Sequence, residues 1–354
     1  MKIIDKHLWK ATLAGLFIAW IALVTLDVFF AFIAEVSKTN ELYSTFQAII
    51  YLVFTLPGRF YEYFPTSILI GALLGLGGLA ANSEFIAMRA AGISIKNITF
   101  SIVRLGLILA TLIFAVGEWV VPQADLHARN FKAHLKNKNI TLTGGTGLWI
   151  KENNKIIHIA KVLNQGELAD ISIYSFKDDF SGLSEIKHIN TAINKEAGWT
   201  LSNIDTSIFM DSEIEKKHKD NIIESHFIDP QILTVANVEP EQLSASELKT
   251  IIKHQKDNQI KTAKYELIYW KRYSIPLSAV IMLIIAMPFL FGSNRGGGAG
   301  QRVFIGIVVG IVFSLVNRSV NDLGLVYGVS PLISAFFPSF VFFLVGLFFL
   351  NRIR

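Results

Sequence analysis

Cysteine is absent from this chain of 354 residues, and charge is scarce, at 17% Asp, Glu, Lys and Arg. The first absence excludes a disulfide framework, a thiolate metal site and a thiol nucleophile, and it lets any exported part fold without oxidation. The second accompanies 52% hydrophobic residues and a mean hydropathy of +0.45, the composition of an integral membrane protein. Enzyme motifs are missing too. Without GxxxxGK[ST] the chain cannot cradle ATP phosphates by itself. The glycine-rich stretch GSNRGGGAGQR, 292–302, lacks the P-loop lysine and leads into an apolar run, so it reads as a flexible loop. HExxH and Gly-x-Ser-x-Gly do not occur. None of the eight histidines stands at a metal spacing, His127 and His134 being seven apart. The expectation is a non-catalytic chain without a cofactor.

What the chain does have is long apolar runs. Six spans are expected, at about 10–35, 58–82, 98–122, 272–292, 302–323 and 331–351, each near the ~20 residues a helix needs to cross hydrocarbon. The first is too long for a signal-peptide core and has no small-residue cleavage motif, so it reads as a retained span. An apolar piece at 44–56 precedes the second. A single helix over 44–82 would reach about 60 Å, too long for one crossing. Pro57-Gly58 is therefore expected to divide it, leaving Phe60, Tyr61, Tyr63 and Phe64 as an interfacial aromatic belt.

Between spans three and four the composition turns polar. Short alternating runs at Lys155–Val162, Ala169–Phe176, Glu185–Ile193, Trp199–Ile204 and Ile222–Ile228, separated by turn signals, predict an antiparallel β domain over about 140–245. Ser244-Ala-Ser-Glu247 is a capping box that opens a helix to about Asp257. Lys2, Lys6, Lys10, Arg89, Lys96, Arg295, Arg302, Arg352 and Arg354 all fall on one side of a six-span topology. The positive-inside rule makes that side cytoplasmic and puts the β domain in the periplasm of a Gram-negative cell.

Three constellations stand out. NSEFIAMRAAGIS, 82–94, reads as a two-turn helix with Asn82 or Ser83 as N-cap, Glu84 in the first turn and Gly92 at C′. A bland connector carrying one topology arginine, Arg89, is the simple reading. Phe85, Ile86 and Met88 exposed at helical spacing instead suggest a helix that enters a groove on another protein. Along 117–138, Arg129, Lys132 and Lys136 share a helix face. That face is either a solvated extension or a basic rim for anionic headgroups. Inside the membrane, Asp27 and Arg318 lie at similar depth and are expected to pair within or between subunits, with Asp322 a rival partner of Arg318.

LIGALLGLGGLAANSEFIAMRAAGIS (69–94), GEWVVPQADLHARN (117–130), GLWIK (147–151) and ELIYWKRYSIPLS (266–278) resemble the lipopolysaccharide export permeases, the LptF/LptG family, and are most like its G-type member. The resemblance runs end to end and is weakest in the β domain. It implies six transmembrane helices with a periplasmic β-jellyroll inserted between helices three and four. Residues 1–138 would hold the first three helices, with a cytoplasmic coupling helix at 82–92. The jellyroll would occupy 139–245, a connecting helix 246–265, and the last three helices 266–354. The implied partners are an F-type permease subunit, two copies of the cytoplasmic ATPase LptB, the single-span LptC and the periplasmic bridge protein LptA. The implied cargo is lipopolysaccharide, and no nucleic acid is involved.

The family's coupling glutamate matches Glu84, with Phe85, Met88 and Arg89 beside it. Its lipid-binding basic residues match Arg129 and Lys132, with Lys136 next on that face. Lys38 also matches. A first-span lysine of the family falls at Ala31 here, leaving Arg318 as the candidate to compensate. Two other functions fit the sequence less fully: a permease for another lipid or for lipoproteins, and a membrane-anchored periplasmic scaffold.

Overall fold

The computed structural model describes residues 3–39, 43–136, 148–164, 167–177, 182–195, 198–210, 213–224, 227, 240–291 and 299–352. They form two compact units, one from residues 1–129 with 263–354 and one from residues 130–262.

The first unit is helical: α1 (Ile3–Val36), α2 (Thr45–Ala81), α3 (Glu84–Ala90), α4 (Ile95–Ala115), a π-helical turn (Val116–Val120), α5 (Val121–Lys136, running on past the unit's edge), α7 (Ala263–Phe291), α8 (Ala299–Tyr327) and α9 (Pro331–Asn351). Six stretches are long and apolar enough to cross a membrane, the number expected: Ile3–Val36, Thr45–Ala81, Ile95–Lys132, Ala263–Phe291, Gly300–Tyr327 and Pro331–Asn351. The second and fourth are the most buried, while the first and fifth leave most of their apolar surface outside the unit.

Small residues bring α1 against α2. A methyl group added at Gly75 would overlap the Ala11 carbonyl oxygen, and one added at Gly15 would overlap the Gly71 carbonyl oxygen. Backbone contact of this kind replaces the hydrophobic drive that lipid does not supply.

The expected break at Pro57-Gly58 does not occur. α2 is one helix of 37 residues with Pro57 and Pro65 inside it. Ser44 and Gln47 close a capping box at its start, so the apolar piece before Pro57 is the first three turns of the same helix. Proline is tolerated within a span because neighbouring groups take up the backbone positions it frees. The expected aromatic belt also turns inward. Tyr61 and Phe64 are buried, and the Trp20 indole packs edge-on against Phe60 and Phe64, donating to the Phe60 carbonyl at 2.8 Å.

The second unit is a six-stranded antiparallel sheet in the order β1 (Leu148–Glu152), β2 (Lys155–Asn164), β3 (Glu167–Phe176), β4 (Leu183–Lys195), β5 (Gly198–Phe209), β6 (Ile214–Glu224). One face is apolar: Leu148, Ile159, Ile171, Ile189 and Ile204 stand in a single cross-strand row. The adjoining row on the opposite face is Trp149, His158, Ser172, His188, Asp205 and His218. There the Asp205 carboxylate, 2.7 Å from the imidazole, holds exposed His218 above the usual histidine range, with help from Asp220.

The β domain stands where it was expected, between the third and fourth spans. β1 was read only as a motif. The last strand lies at 214–224 instead of 222–228, because IEKKHKDN offers no apolar alternation to read; residues 225–226 and 228 are outside the described set. After the sheet comes α6 (Ala245–Asp257), capped as predicted. Ser244 Oγ accepts from the Glu247 amide, and Glu247 accepts from the Ser244 amide at 2.8 Å. Asn258 just beyond it accepts from the Asn153 amide at 2.8 Å, which ties this helix end to the β1–β2 turn.

Candidate functional site

Two polar clusters lie at opposite ends of the helical unit. The first surrounds α3. Ser83 takes the N-cap position in a left-handed conformation without a side-chain cap bond, and Gly92 supplies the left-handed residue past the C-terminus at φ +85°. The Ile93 amide bonds the Met88 carbonyl at 3.0 Å and closes the turn. Glu84 Oε2 lies 2.7 Å from His7 Nε2 of α1.

Phe85 is not an exposed knob. It is 4% exposed, and its ring stacks at a tilt on Phe291 of α7, 4.9 Å between centroids. Met88 is half-buried on the same core. The reason is length: a helix of seven residues has one apolar face, and the chain uses that face to dock its own spans. Ile86, 60% exposed, and Arg89 are left on the outer side. The glycine-rich loop singled out beside this end falls at 292–298 outside the described residues, as do Lys2, Arg295 and Arg354; Arg302 donates to the Gly77 carbonyl.

The second cluster lies where α1 runs toward the start of α2. Asp27 does not pair with Arg318 within this chain. Arg59 Nη1 donates to Asp27 Oδ2, and the Tyr63 hydroxyl donates to Oδ1 at 2.9 Å. Arg59 Nε also donates to Thr55 Oγ1 at 3.1 Å. Arg318 instead faces Asp322 one turn away at 3.9 Å, and both side chains are largely exposed. Sequence reasoning missed Arg59 because it follows Pro57-Gly58, which reads as a break. Once α2 is continuous, Arg59 and Tyr63 fall four apart on one face.

Removing the carboxylate leaves a guanidinium stranded in a span. Asp27→Ala is expected to cost about 2 to 3 kcal/mol, seen as a lower midpoint of thermal unfolding in detergent. Asp27→Ala with Arg59→Leu should recover most of it. A single variant as stable as wild type would refute the pairing.

Nearby, the π turn leaves the Gly117 carbonyl to accept from Arg272 Nη1 at 3.0 Å. The Arg272 guanidinium also sits 5.8 Å from the Tyr61 ring centroid, and the Tyr61 hydroxyl donates to the Arg272 carbonyl at 3.1 Å. On α5, Asp125 and Arg129 are four apart and both half-buried. A methyl group at Gly58 would meet both Asp125 carboxylate oxygens at 3.4 Å. Arg272, Arg129 and Arg59 all act on that carboxylate electrostatically. Lys132 is half-buried on the same helix, and Lys136 ends it with its side chain outside the described residues. Lys38 bonds Glu35 at 3.3 Å, and Glu35 accepts from the buried Tyr43 hydroxyl at 3.0 Å. Burial and the Glu35 charge push the Tyr43 phenol up.

The architecture is thus six apolar helices with a sheet inserted after the third, and arginines gathered at one end. The profile of the family described as lipopolysaccharide export system permease LptF/LptG matches residues 6–352. This chain belongs to the LptF/LptG family. It is 32% identical to the lipopolysaccharide export system permease protein LptG of Escherichia coli strain K12 over 360 residues, covering 99% of this chain and 98% of the relative. It is 31% identical to LptG of Haemophilus influenzae strain KW20 over 355 residues, 99% of each chain. The match takes in both units, so the inserted sheet is part of what places this LptF/LptG member in its family. Six apolar helices and that membership make the chain a multi-pass inner-membrane protein of the permease type.

Proposed function

We propose that this chain is the G-type permease subunit of a lipopolysaccharide exporter. The observation that carries the reading is similarity to LptG proteins along the whole chain, sheet included. In this reading the termini and α3 are cytoplasmic and the sheet is periplasmic, as the distribution of basic residues favours. An F-type subunit completes the permease. α1 and α8 support this, since they carry Phe17, Ile21 and Phe30, and Phe304, Ile311 and Leu315, exposed on their outer faces. Two copies of LptB supply ATP hydrolysis, LptC joins the complex, and LptA receives the cargo.

Lipopolysaccharide enters laterally from the outer leaflet. Arg129 and Lys132, with Lys136 beyond them and Lys38 near the end of α1, engage its phosphates through charge-assisted bonds while apolar span residues hold its acyl chains. Arg318, largely exposed on α8, contributes from the other side of a shared cavity in this reading. Closure of the motor is felt through α3. Glu84 and Arg89 make polar contacts with it, Ile86 offers an apolar one, and Phe85 and Met88 transmit the movement into the span core against Phe291. The cavity then narrows and lipid passes to the sheet.

The test is lipid retention by the purified complex. Arg129→Ala with Lys132→Ala should lower lipopolysaccharide affinity about tenfold or more, the factor expected when a charge-assisted contact to phosphate is lost. LptB should remain bound. Wild-type affinity in the double variant would remove both residues from the site.

A further inference from the structure

α8 carries a charged pair on the face it leaves outside the unit. Arg318 Nε and Asp322 Oδ2 are 3.9 Å apart, with side chains 86% and 70% exposed. At that distance the two make no hydrogen bond to each other. The pair does little for the helix either. An exposed ion pair one turn apart adds little stability, and base before acid is the weaker order. Phe304, Val308, Ile311 and Leu315 stand exposed on the same helix face, at alternating steps of four and three residues that lead up to Arg318.

In the export reading α8 runs outward from Arg302. Arg318 then lies about 24 Å along the helix and Asp322 about 30 Å, at the outer edge of the hydrocarbon. Charges at that depth are not left against lipid tails, so groups of matching charge must meet them. A bare phosphate suits Arg318 and is repelled by Asp322. A phosphate that carries an alkylammonium suits both. The order along the helix fits as well. Going outward, the apolar residues come first, then the cation, then the anion. A zwitterionic lipid of the outer leaflet presents its acyl chains first, then phosphate, then ammonium.

Resting on the export reading, we propose that the outer end of α8 is a binding site for a phosphoethanolamine group on a lipid. Arg318 holds the phosphate, Asp322 holds the ammonium, and the apolar stripe beneath lies along an acyl chain. Two sources carry this group: phosphatidylethanolamine of the bilayer, and lipid A modified with phosphoethanolamine.

The experiment uses the whole complex in nanodiscs of phosphatidylglycerol, with lipid A and phosphoethanolamine-modified lipid A as probes. Wild type should bind the modified form about tenfold more tightly, the factor of one charge-assisted contact. Asp322→Asn should bind the two forms alike, and Asp322→Glu should restore part of the preference. Adding phosphatidylethanolamine to the bilayer separates the sources. With the bilayer lipid as occupant, the preference disappears, and mass spectrometry finds phosphatidylethanolamine retained by wild type and not by Asp322→Asn. With the cargo as occupant, the preference stays. A preference that survives Asp322→Asn would overturn the site. So would equal affinity of wild type for both forms of lipid A without Asp322-dependent retention of phosphatidylethanolamine. Wild-type complex that retains neither form of lipid A would overturn the export reading itself.

Discussion

Gly75→Leu is expected to remove the protein from the membrane, with accumulation falling to roughly a tenth of wild type or less. The argument is geometric. The first carbon of any side chain at this position would occupy the place of the Ala11 carbonyl oxygen, and the Thr12 amide lies just beyond. Both are helix backbone, so neither can rotate away as a side chain could. The helices must separate, and separation undoes the contact at Gly15 and Gly71 as well. Overpacking of this kind costs about 3 kcal/mol or more, a large share of the stability of an ordinary domain. It would also loosen the Trp20 and Asp27 contacts that α1 makes further along α2. Gly78→Leu is the control. It lies three residues on in the same helix, and nothing is within 4 Å of a methyl group placed there. If Gly75→Leu and Gly78→Leu accumulate equally, the close approach of α1 and α2 is wrong.

Glu84→Ala is expected to reduce lipid-stimulated ATPase activity of the complex ten- to a hundredfold, the range set by one charged hydrogen bond of about 1.5 to 3 kcal/mol. Two contacts would be lost together: the bond to His7 and the proposed contact with the motor. His7→Ala separates them, since it frees Glu84 without deleting it. Because both side chains are substantially exposed, that bond adds little stability, and activity should fall much less. If the motor contact is the important one, Glu84→Ala also weakens co-purification of LptB and His7→Ala does not. Wild-type ATPase activity in Glu84→Ala would end the coupling role of α3.

Features governed by local rules were legible in the sequence. The six spans follow from apolar length, and the Ser244–Glu247 capping box follows from spacing alone. α3 was placed within a residue or two because Gly92 marks its end. What was not legible depends on tertiary context. Pro57-Gly58 looks like a break, yet packing on both sides of α2 carries the helix through. Phe85 and Ile86 are adjacent and equally apolar, and only the position of Phe291, 206 residues away, decides which one faces inward. The partner of Asp27 was sought at equal depth on another basic span residue. The partner is Arg59, whose long side chain reaches along α2 from the residue just after the expected break at Pro57-Gly58. Asp125 lies within a stretch noted for its resemblance, but nothing in its spacing says that α5 brings it against Gly58. β6 was misplaced because an edge strand with both faces charged has no period-two signal.

The π turn at Val116–Val120 has a consequence for how the third span is read. A turn closed by i→i+5 bonds holds one residue more than an α turn, so everything after it is shifted in phase by about 100° relative to a plain helix. Heptad-style reasoning carried from Ile102 and Ile113 into α5 would point Asp125 and Arg129 in the wrong direction. The extra residue acts as a splice that lets α4 keep the orientation its packing on α7 demands while α5 turns a different side toward α2. Arg272 closes the gap that the splice leaves at Gly117, so the same guanidinium that supports the joint also belongs to the cluster the joint orients.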